Sequence, residues 1–420
     1  MVSLKQKKEK GIRARTDCRL CGSTDLVEVF SFGETPLANA YRAPGDFTTP
    51  EIFAPLVVQA CWVCKLVQLR DVVNPEILFS NYLYVSGTSP VFVAHFADYA
   101  KTVTKKFSLS KDSLVVDIGS NDGILLSHFQ KEGMKILGID PAQNIAAEAT
   151  EKGIPTLAKF FTPQAAREIA ATHGKASVIT ANNVFAHADD MVGFVEAVKA
   201  LLAPKGIFIF EVQYLKDLVE KNLFDMVYHE HLCYHHLTPL VPFFERLGLR
   251  LFDVERVPTH GGSLRVYVEW QKGPYATSPR VADMLKKESA LNTVKTYQAF
   301  AERIAASGKK LRALLAGFRN EGKRVVGYGA PAKATTLCYA FGIDGNMLEY
   351  IVDDAPMKQG LSMPGTHIAI KPSNALYADK PDYCLILAWN FADSIVKNHQ
   401  QFIANGGVFI NPVPEPHAIS

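Results

Sequence analysis

The chain has 420 residues, 48% of them hydrophobic and 21% charged, which suits a soluble protein of two or three domains. The net charge of +3 gives no indication of nucleic-acid binding, and the basic start of the chain is typical of a solvated tail. No run of eighteen apolar residues and no secretory signal is evident. We therefore expect a cytoplasmic protein with no membrane span, whose seven cysteines are reduced.

Three regions differ in pattern. Residues 1–80 carry cysteine pairs and short β-like runs, and residues 81–275 alternate strands with helices. Residues 276–420 begin with a helical pattern, Val281 to Phe318, and then alternate strands and helices again. This order predicts an α/β protein: a zinc-binding subdomain, a central doubly wound Rossmann-like domain, and a smaller C-terminal Rossmann-like domain.

The first region is predicted to hold zinc. Cys18-x-x-Cys21 and Cys61-x-x-Cys64 give two pairs of thiolates, and each pair has the spacing of a tight knuckle around one metal. The alternative is four buried, reduced cysteines without a metal. Because the pattern implies no open coordination position, we expect the zinc to be structural. The long interval between the pairs predicts a small subdomain inserted between the two knuckles.

The central region contains a loop suited to a nucleotide-like ligand. In "VVDIGSNDG", Asp117, Gly119 and Gly123 follow an apolar strand, so the backbone can turn tightly beside a helix N-terminus. Asp140 ends the next strand, where a carboxylate is placed to bond a ribose diol. The spacing resembles motifs I and II of class I methyltransferases that bind S-adenosylmethionine, with Asn121 replacing the usual middle glycine. A glycine loop that serves only as a turn is the alternative.

A second polar group follows the third strand of this region. In "TANNVFAHADD", Asn182 and Asn183 are predicted to lie at the carboxyl edge of the sheet, where such folds bind ligands. His187 follows on the adjacent loop. Alone it would read as a capped or solvated residue, and its position beside the ligand edge makes it a candidate site residue.

The stretch "YHEHLCYHH", residues 228–236, admits three interpretations. A zincin motif fails because Cys233 stands where the second histidine is needed. His231 and His235 are four residues apart and would share a helix face, which leaves a metal site open, as does a cluster of satisfied polar groups. Acid–base catalysis is favoured, because the stretch follows the fourth strand on the ligand side of the sheet.

The C-terminal region has its own glycine loop, "VGYGAPAKA". Gly327-x-Gly329-x-x-Ala332, with Asp353 after the next strand, matches a dinucleotide fingerprint. A NAD-dependent nucleotide-sugar oxidoreductase is therefore the alternative function. The proline within the loop weighs against it. Lys333 in the first turn of the helix instead suits the diphosphate of a nucleotide-linked substrate, and a solvated lysine is its plain alternative.

Taken in order, the cysteine pairs, "VVDIGSNDG", "YHEH", "HGGSLRVY" and "VGYGAPAKA" resemble the sugar C-methyltransferases that act on nucleotide-linked keto-deoxysugars. The resemblance extends over nearly the whole chain. It implies transfer of a methyl group from S-adenosylmethionine to a dTDP-4-keto-deoxysugar, most often at C-3, through an enolate formed by a base.

The resemblance also assigns roles within the site. His231 is implied as the base, while Tyr228 and Glu230 position the sugar or stabilise the enolate. His187 falls where the family keeps another active-site histidine, and Tyr82 where a tyrosine reaches the sugar pocket. The other residues of the histidine stretch are expected to pack. The "HGGSLRVY" motif offers three substrate-binding groups: His260, Ser263 and Arg265, the last as a bidentate partner of phosphate.

Overall fold

The computed structural model of the protein describes residues 11–46, 48–79, 87 and 90–419. Tyr82 lies outside these residues, so its predicted role stays a prediction. Within the described part of the chain, no helix is both long and apolar enough to cross a bilayer.

The N-terminal region is built on an antiparallel sheet. The interval between the two cysteine pairs folds mainly as the hairpin of the two longest strands, as predicted, and the second of these is buried along almost its whole length. The first and fifth strands form a separate pair. The elements are β1 (Ile12–Ala14), β2 (Leu26–Pro36), β3 (Phe53–Cys61), β4 (Val67–Leu69), β5 (Asp71–Val73) and α1 (Pro75–Phe79).

The central region folds as alternating helices and strands. Strand β6 is short and fully buried, and β9 is buried at five of its seven residues, as expected for a parallel sheet covered on both faces. The elements are α2 (Pro90–Lys106), β6 (Leu114–Ile118), α3 (Ile124–Lys131), β7 (Lys135–Asp140), α4 (Gln143–Glu151), β8 (Thr156–Ala158), α5 (Pro163–His173), β9 (Ala176–Asn182), α6 (Met191–Leu201), β10 (Leu202–Gln213), α7 (Leu215–Glu220), β11 (Cys233–Tyr234), α8 (Leu237–Arg246), β12 (Leu249–Val257) and β13 (Ser263–Trp270).

The seven-stranded sheet of this region has the order β12-β13-β10-β9-β6-β7-β8. Strands β6 to β10 are parallel to one another, and β13 runs antiparallel between β10 and β12. The chain moves outward from β6 in one direction and then returns to β9 on its other side. The strand order therefore reverses between β6 and β9, and a crevice for ligands is expected at their carboxyl ends.

Strand β11 does not join that sheet. It pairs with β4 and completes a four-stranded sheet of order β11-β4-β3-β2. Part of the histidine stretch is therefore built into the N-terminal sheet. The prediction that His231 and His235 share a helix face is wrong, because turns and this short strand occupy the segment instead of a helix.

The C-terminal region contains a second, smaller Rossmann-like sheet, of order β16-β15-β14-β17-β18-β19. The long helix predicted from Val281 to Phe318 is two helices separated by a 3-10 turn at Ser289–Asn292. With both Rossmann-like sheets and the cysteine-bearing region present, the predicted fold class is confirmed. The elements are α9 (Pro279–Lys287), α10 (Val294–Asn320), β14 (Val325–Tyr328), α11 (Ala332–Phe341), β15 (Ile351–Asp353), β16 (Ile370–Pro372), α12 (Ala375–Ala378), β17 (Tyr383–Ile386), α13 (Ala392–Asn398), α14 (Gln400–Ala404), β18 (Val408–Asn411) and β19 (His417–Ile419).

Candidate active site and zinc centre

A cavity of about 540 Å³ opens at the carboxyl edge of the central sheet. It is wide enough for a small ligand and lies where the strand order reverses. All three regions of the chain contribute to its wall, including Asn39 and Phe79 from the first and Asn390 from the last. The candidate site residues that line it are Asp117, Gly119, Asn121, Asp140, Asn182, Asn183, His187, Tyr228, His231, His260 and Lys333.

Two glycines of the first loop have no room for a side chain. Gly119 has φ of 64°, and a Cβ atom there would lie 2.3 Å from Cγ2 of Val184. Gly123 has φ of 75°, and its Cβ atom would lie 2.6 Å from Cγ2 of Ile154. Only glycine satisfies both the backbone angle and the close approach. Gly123 caps helix α3 and is not among the described residues that line the cavity.

Asp140 holds the loop in place. Its two carboxylate oxygens accept hydrogen bonds from the backbone nitrogens of Asn121 and Ala142, each at 2.9 Å. Asn121 has φ of 51°, a conformation that asparagine tolerates better than most residues, so it replaces the usual glycine at little strain. Because each carboxylate oxygen has a further lone pair, Asp140 remains able to accept from a ribose diol.

Asp117 ends strand β6 beneath the loop. Its carboxylate accepts a hydrogen bond of 2.6 Å from the hydroxyl of Thr180, and burial raises the pKa of the carboxyl to about 7. On the adjacent strand β9, both polar atoms of the Asn182 side chain are buried and have no hydrogen-bond partner among the described residues. Asn183 follows with φ of 56°. This edge therefore offers polar groups that are ready for a ligand.

His231 is held in one tautomer. Its Nδ1 lies 2.8 Å from the carbonyl oxygen of Met226, which only accepts, so Nδ1 carries the proton and Nε2 keeps its lone pair. Burial and the neighbouring His187 lower the pKa of His231 well below its usual 6.5. The imidazole is therefore neutral at pH 7 and able to take a proton from a ligand in the cavity.

Three further rings surround the same part of the cavity. Tyr228 lies against His231 with ring centroids 4.0 Å apart, and the ring of His187 lies 5.1 Å from that of His231. His260 contributes from the turn before β13, with φ of 53°. Burial lowers the pKa of His187 and of His260 to about 4 in each case. The structure therefore brings together the candidate tyrosine and three candidate histidines.

Glu230 stands behind this group. Its side chain is 2% exposed, and its Oε1 accepts a hydrogen bond of 2.6 Å from Nδ2 of Asn39, which does line the cavity. Glu230 is not among the described cavity-lining residues, so in this structure it acts on the site through Asn39. Asn39 was missed from the sequence because its partner is 191 residues away.

Lys333 lines the end of the cavity that the C-terminal region forms, together with Pro331, Ala332 and Asn390. Its ammonium group lies 2.5 Å from Oδ1 of Asn390 and 3.5 Å from the centre of the Trp389 ring. Burial lowers the pKa of this lysine, and the buried carboxylate of Asp225 opposes that effect. Lys358, which the sequence did not single out, lines the same end and donates to the carbonyl of Ala330 at 2.8 Å. Two buried lysines make this end suited to an anion.

Arg265 and Ser263 are not among the described residues that line the cavity. The Nε of Arg265 donates to Glu211 at 2.6 Å, and its guanidinium lies 3.9 Å from the ring centre of Tyr99. Ser263 is fully buried and donates to the carbonyl of Thr259 at 3.0 Å. The geometry thus gives no support to phosphate binding by Arg265, because its charge is already paired inside the fold.

The second glycine loop borders the same cavity through Pro331, Ala332 and Lys333. Asp353 accepts from the backbone nitrogen of Ala330 at 2.6 Å, in the manner of Asp140 in the first loop. The carbonyl of Ala330 accepts from the hydroxyl of Tyr41 and from Lys358. Unlike Asp140, Asp353 is not among the described cavity-lining residues, so the geometry gives no support to its binding the ribose of a dinucleotide.

The four cysteines meet as the spacing predicts. The Sγ atoms of Cys18, Cys21, Cys61 and Cys64 all lie within 4.8 Å of one another, and two of their pairs are 3.4 and 3.6 Å apart. A tetrahedron of sulfurs with zinc–sulfur bonds of about 2.3 Å has edges of about 3.8 Å, so the cluster fits zinc with little adjustment. In the described part of the chain, no other group of three metal-ligating side chains converges in this way.

The first cysteine knuckle also contacts the loop that carries His187. Arg19 lies between Cys18 and Cys21, and its Nε donates to Oδ1 of Asp189 at 3.0 Å. Arg15 donates to the backbone carbonyl of Asp189 at 2.8 Å, and Arg13 also pairs with its carboxylate. Asp189 lines the cavity two residues after His187. This cluster ties the loop that carries a site histidine to the zinc-binding region, and no local sequence signal marks it.

Replacing Cys61 with serine is expected to abolish zinc binding and to unfold or aggregate the protein, because the buried metal supplies folding free energy. Metal content per chain and the thermal midpoint of unfolding measure the effect. Cys384→Ala, which removes a buried thiol outside the cluster, is expected to keep its zinc. A soluble Cys61→Ser variant of unchanged thermal midpoint would contradict a structural metal.

Replacing Asp189 with asparagine keeps the size of the side chain but removes the charge that the arginines hold. We expect turnover to fall by about 10-fold through displacement of the loop, with zinc content and affinity for S-adenosylmethionine unchanged. Glu148→Gln, which breaks an exposed ion pair with Lys152, is the matched control and is expected to behave like the parent. Equal turnover in Asp189→Asn and Glu148→Gln would contradict a positioning role for Asp189.

Comparison with known families identifies the domains of the chain. Family models match a zinc binding domain at residues 18–79, a methyltransferase domain at residues 93–254 and a C-methyltransferase C-terminal domain at residues 258–414. Among solved structures, a magnesium protoporphyrin IX methyltransferase from Synechocystis is similar over 42% of this chain and 80% of its own. The sequence identity is 13% and the TM-score is 0.32.

Two curated relatives are informative to different degrees. The ubiquinone biosynthesis O-methyltransferase of a Methylobacterium strain is 30% identical over 29% of this chain and 50% of its own length. The C-methyltransferase NovU of Streptomyces niveus is 38% identical over 97% of this chain and 98% of its own length. The chain therefore belongs to the zinc-binding, S-adenosylmethionine-dependent C-methyltransferase family of NovU.

Proposed function

We propose that the protein transfers a methyl group from S-adenosylmethionine to a carbon atom of a nucleotide-linked 4-keto-deoxysugar. The proposed position is C-3 of a dTDP-sugar, and the reaction belongs to the synthesis of branched deoxysugars. The observation that carries the proposal is His231, whose Nδ1 is bound to the Met226 carbonyl and whose Nε2 is left basic in the cavity. A carbon that becomes a nucleophile must first lose a proton, and a neutral imidazole in a buried cavity is a suitable base.

The proton removed is the one on the carbon next to the ketone. Nε2 of His231 takes it, the electron pair of the C–H bond moves into the enolate, and the ketone oxygen gains negative charge. S-adenosylmethionine, when bound, supplies the electrophilic methyl group that this carbon attacks. In this proposal the hydroxyl of Tyr228, whose ring lies against that of His231, donates to the enolate oxygen. Asn39, anchored on Glu230, fixes the wall beside it.

In this proposal the cofactor binds at one end of the cavity and the nucleotide of the substrate at the other. Asp117, Asp140 and Asn182 form the cofactor end, and the resemblance of this loop to those that bind S-adenosylmethionine supports that role. Lys333 and Lys358 form the other end, where their charges suit a diphosphate. The sugar then lies between, beside His231 and His260.

We also propose that the protein acts in the cytoplasm, where nucleotide-linked sugars and reduced thiols coexist. The division of the chain into residues 1–80, 81–275 and 276–420 is part of the same proposal. Each part is assigned a role: zinc, cofactor and substrate respectively.

Incubation with S-adenosylmethionine and a panel of dTDP-, GDP- and UDP-linked 4-keto sugars tests the function. We expect a dTDP-linked 4-keto-deoxysugar to gain one methyl group by mass, on the carbon next to the ketone. In deuterium oxide without cofactor, the same sugar is expected to gain deuterium at that carbon. A protein that methylates none of the panel and exchanges no proton would refute the proposal.

Replacing His231 with asparagine keeps an N–H group near the position of Nδ1, and thus the bond to Met226, but removes Nε2. We expect turnover and deuterium exchange to fall by about 10²-fold or more, while affinity for S-adenosylmethionine stays unchanged. His173→Asn, on the surface at the end of helix α5, is the control. Undiminished deuterium exchange in His231→Asn would show that another group is the base, and His187 would be tested next.

A further inference from the structure

Gln213 occupies a position that neither the mechanism nor the sequence motifs have used. It is the last residue of strand β10, and its side chain lines the cavity. Strand β10 lies between β9, which ends at Asn182, and β13, which follows the turn that carries His260. Because neighbouring strands are about 4.8 Å apart, Gln213 lies one strand beyond the candidate cofactor residues.

Both polar atoms of the Gln213 side chain are buried, and neither has a hydrogen-bond partner among the described residues. The statement holds whichever way the amide is oriented, since the oxygen and the nitrogen are both unpaired. Two other amides at the cavity are engaged, since Asn39 bonds to Glu230 and Asn390 bonds to Lys333, whereas Asn182 shares the unpaired state of Gln213. A buried amide without partners costs free energy that only a bound ligand would recover at this place.

The order of groups along the sheet edge indicates which ligand Gln213 meets. Asp140 is the last residue of β7, Asp117 the second-last of β6 and Asn182 the last of β9. The candidate cofactor residues therefore lie on the three strands that precede β10 along the sheet edge. On the far side, the turn at Thr259–Gly261 brings His260 into the cavity. Gln213 is therefore placed at the junction of cofactor and substrate, where the reacting sugar ring has to lie.

We propose that Gln213 is a substrate-binding residue that recognises the keto sugar at two adjacent carbons, an inference that rests on the proposed function. Its N–H group donates to the ketone oxygen, and its carbonyl accepts from a hydroxyl or amine on the neighbouring carbon. An amide offers one donor and one acceptor side by side, which matches the acceptor and donor of such a sugar. The bond to the ketone oxygen strengthens as the enolate forms, because negative charge accumulates there.

Gln213→Met tests this role, because methionine keeps the length and approximate volume of the side chain while it removes both polar atoms. We expect kcat/KM for the keto sugar, and the rate of deuterium exchange without cofactor, to fall by about 10- to 100-fold. Affinity for S-adenosylmethionine is expected to stay unchanged. Gln213→Glu, which keeps an acceptor but loses the donor, is expected to lose more in kcat than in KM.

Two comparisons separate recognition from a structural effect. Gln401→Met makes the same replacement at an exposed position of helix α14 and is expected to match the parent. A sugar analogue without the neighbouring hydroxyl or amine is expected to lose less activity on Gln213→Met than the full substrate does, because one of the two bonds is already missing.

The outcomes are distinct. Parent-like kcat/KM in Gln213→Met, with an active parent, would overturn the inference and leave the proposed function intact. A matching loss of S-adenosylmethionine affinity would also overturn it and assign Gln213 to the cofactor. A parent protein that neither exchanges nor methylates any keto sugar would refute the proposed function itself.

Discussion

The parallel register of strands β6, β9 and β10 is the constraint on which the site depends. Asp117 is opposite Thr180, and Asn182 is opposite Glu211, so the strands end in step at one edge of the sheet. That edge collects side chains that lie far apart in the chain, and the reversal of strand order keeps helices from covering it. The first glycine loop, the candidate histidines and Gln213 all depend on this one alignment.

Two buried carboxylates make the same kind of hydrogen bond to a glycine loop in different surroundings. Asp140 and Asp353 each end the second strand of a Rossmann-like unit and each accept from the backbone of the preceding glycine loop. Both loops border the cavity, but Asp140 lines it and Asp353 is not among the described residues that do. A fingerprint in sequence therefore specifies the turn and its carboxylate, but the surrounding structure decides whether that carboxylate can meet a ligand.

Much of the fold was predictable because its signals are local. Apolar runs in the sequence predicted the buried strands. The metal cluster was predicted from the spacing of Cys18, Cys21, Cys61 and Cys64, because the geometry of each knuckle is set within a few residues. The ion pair of Arg265 with Glu211 was not predictable, because a motif names a residue type and not its partner across a sheet. The pairing of β11 with β4, 164 or more residues away in the chain, was missed for the same reason.

The three histidines of the cavity constrain one another. Burial lowers the pKa of His187 and His260 to about 4, and that of His231 well below 6.5, in part because His187 and His260 would repel a charge on it. Each group is neutral above its pKa, so at pH 7 all three imidazoles are neutral. In the proposed reaction, the enolate charge formed in the same step would stabilise a proton taken by His231. The low pKa of the isolated imidazole would then couple deprotonation to the presence of a substrate that can form an enolate.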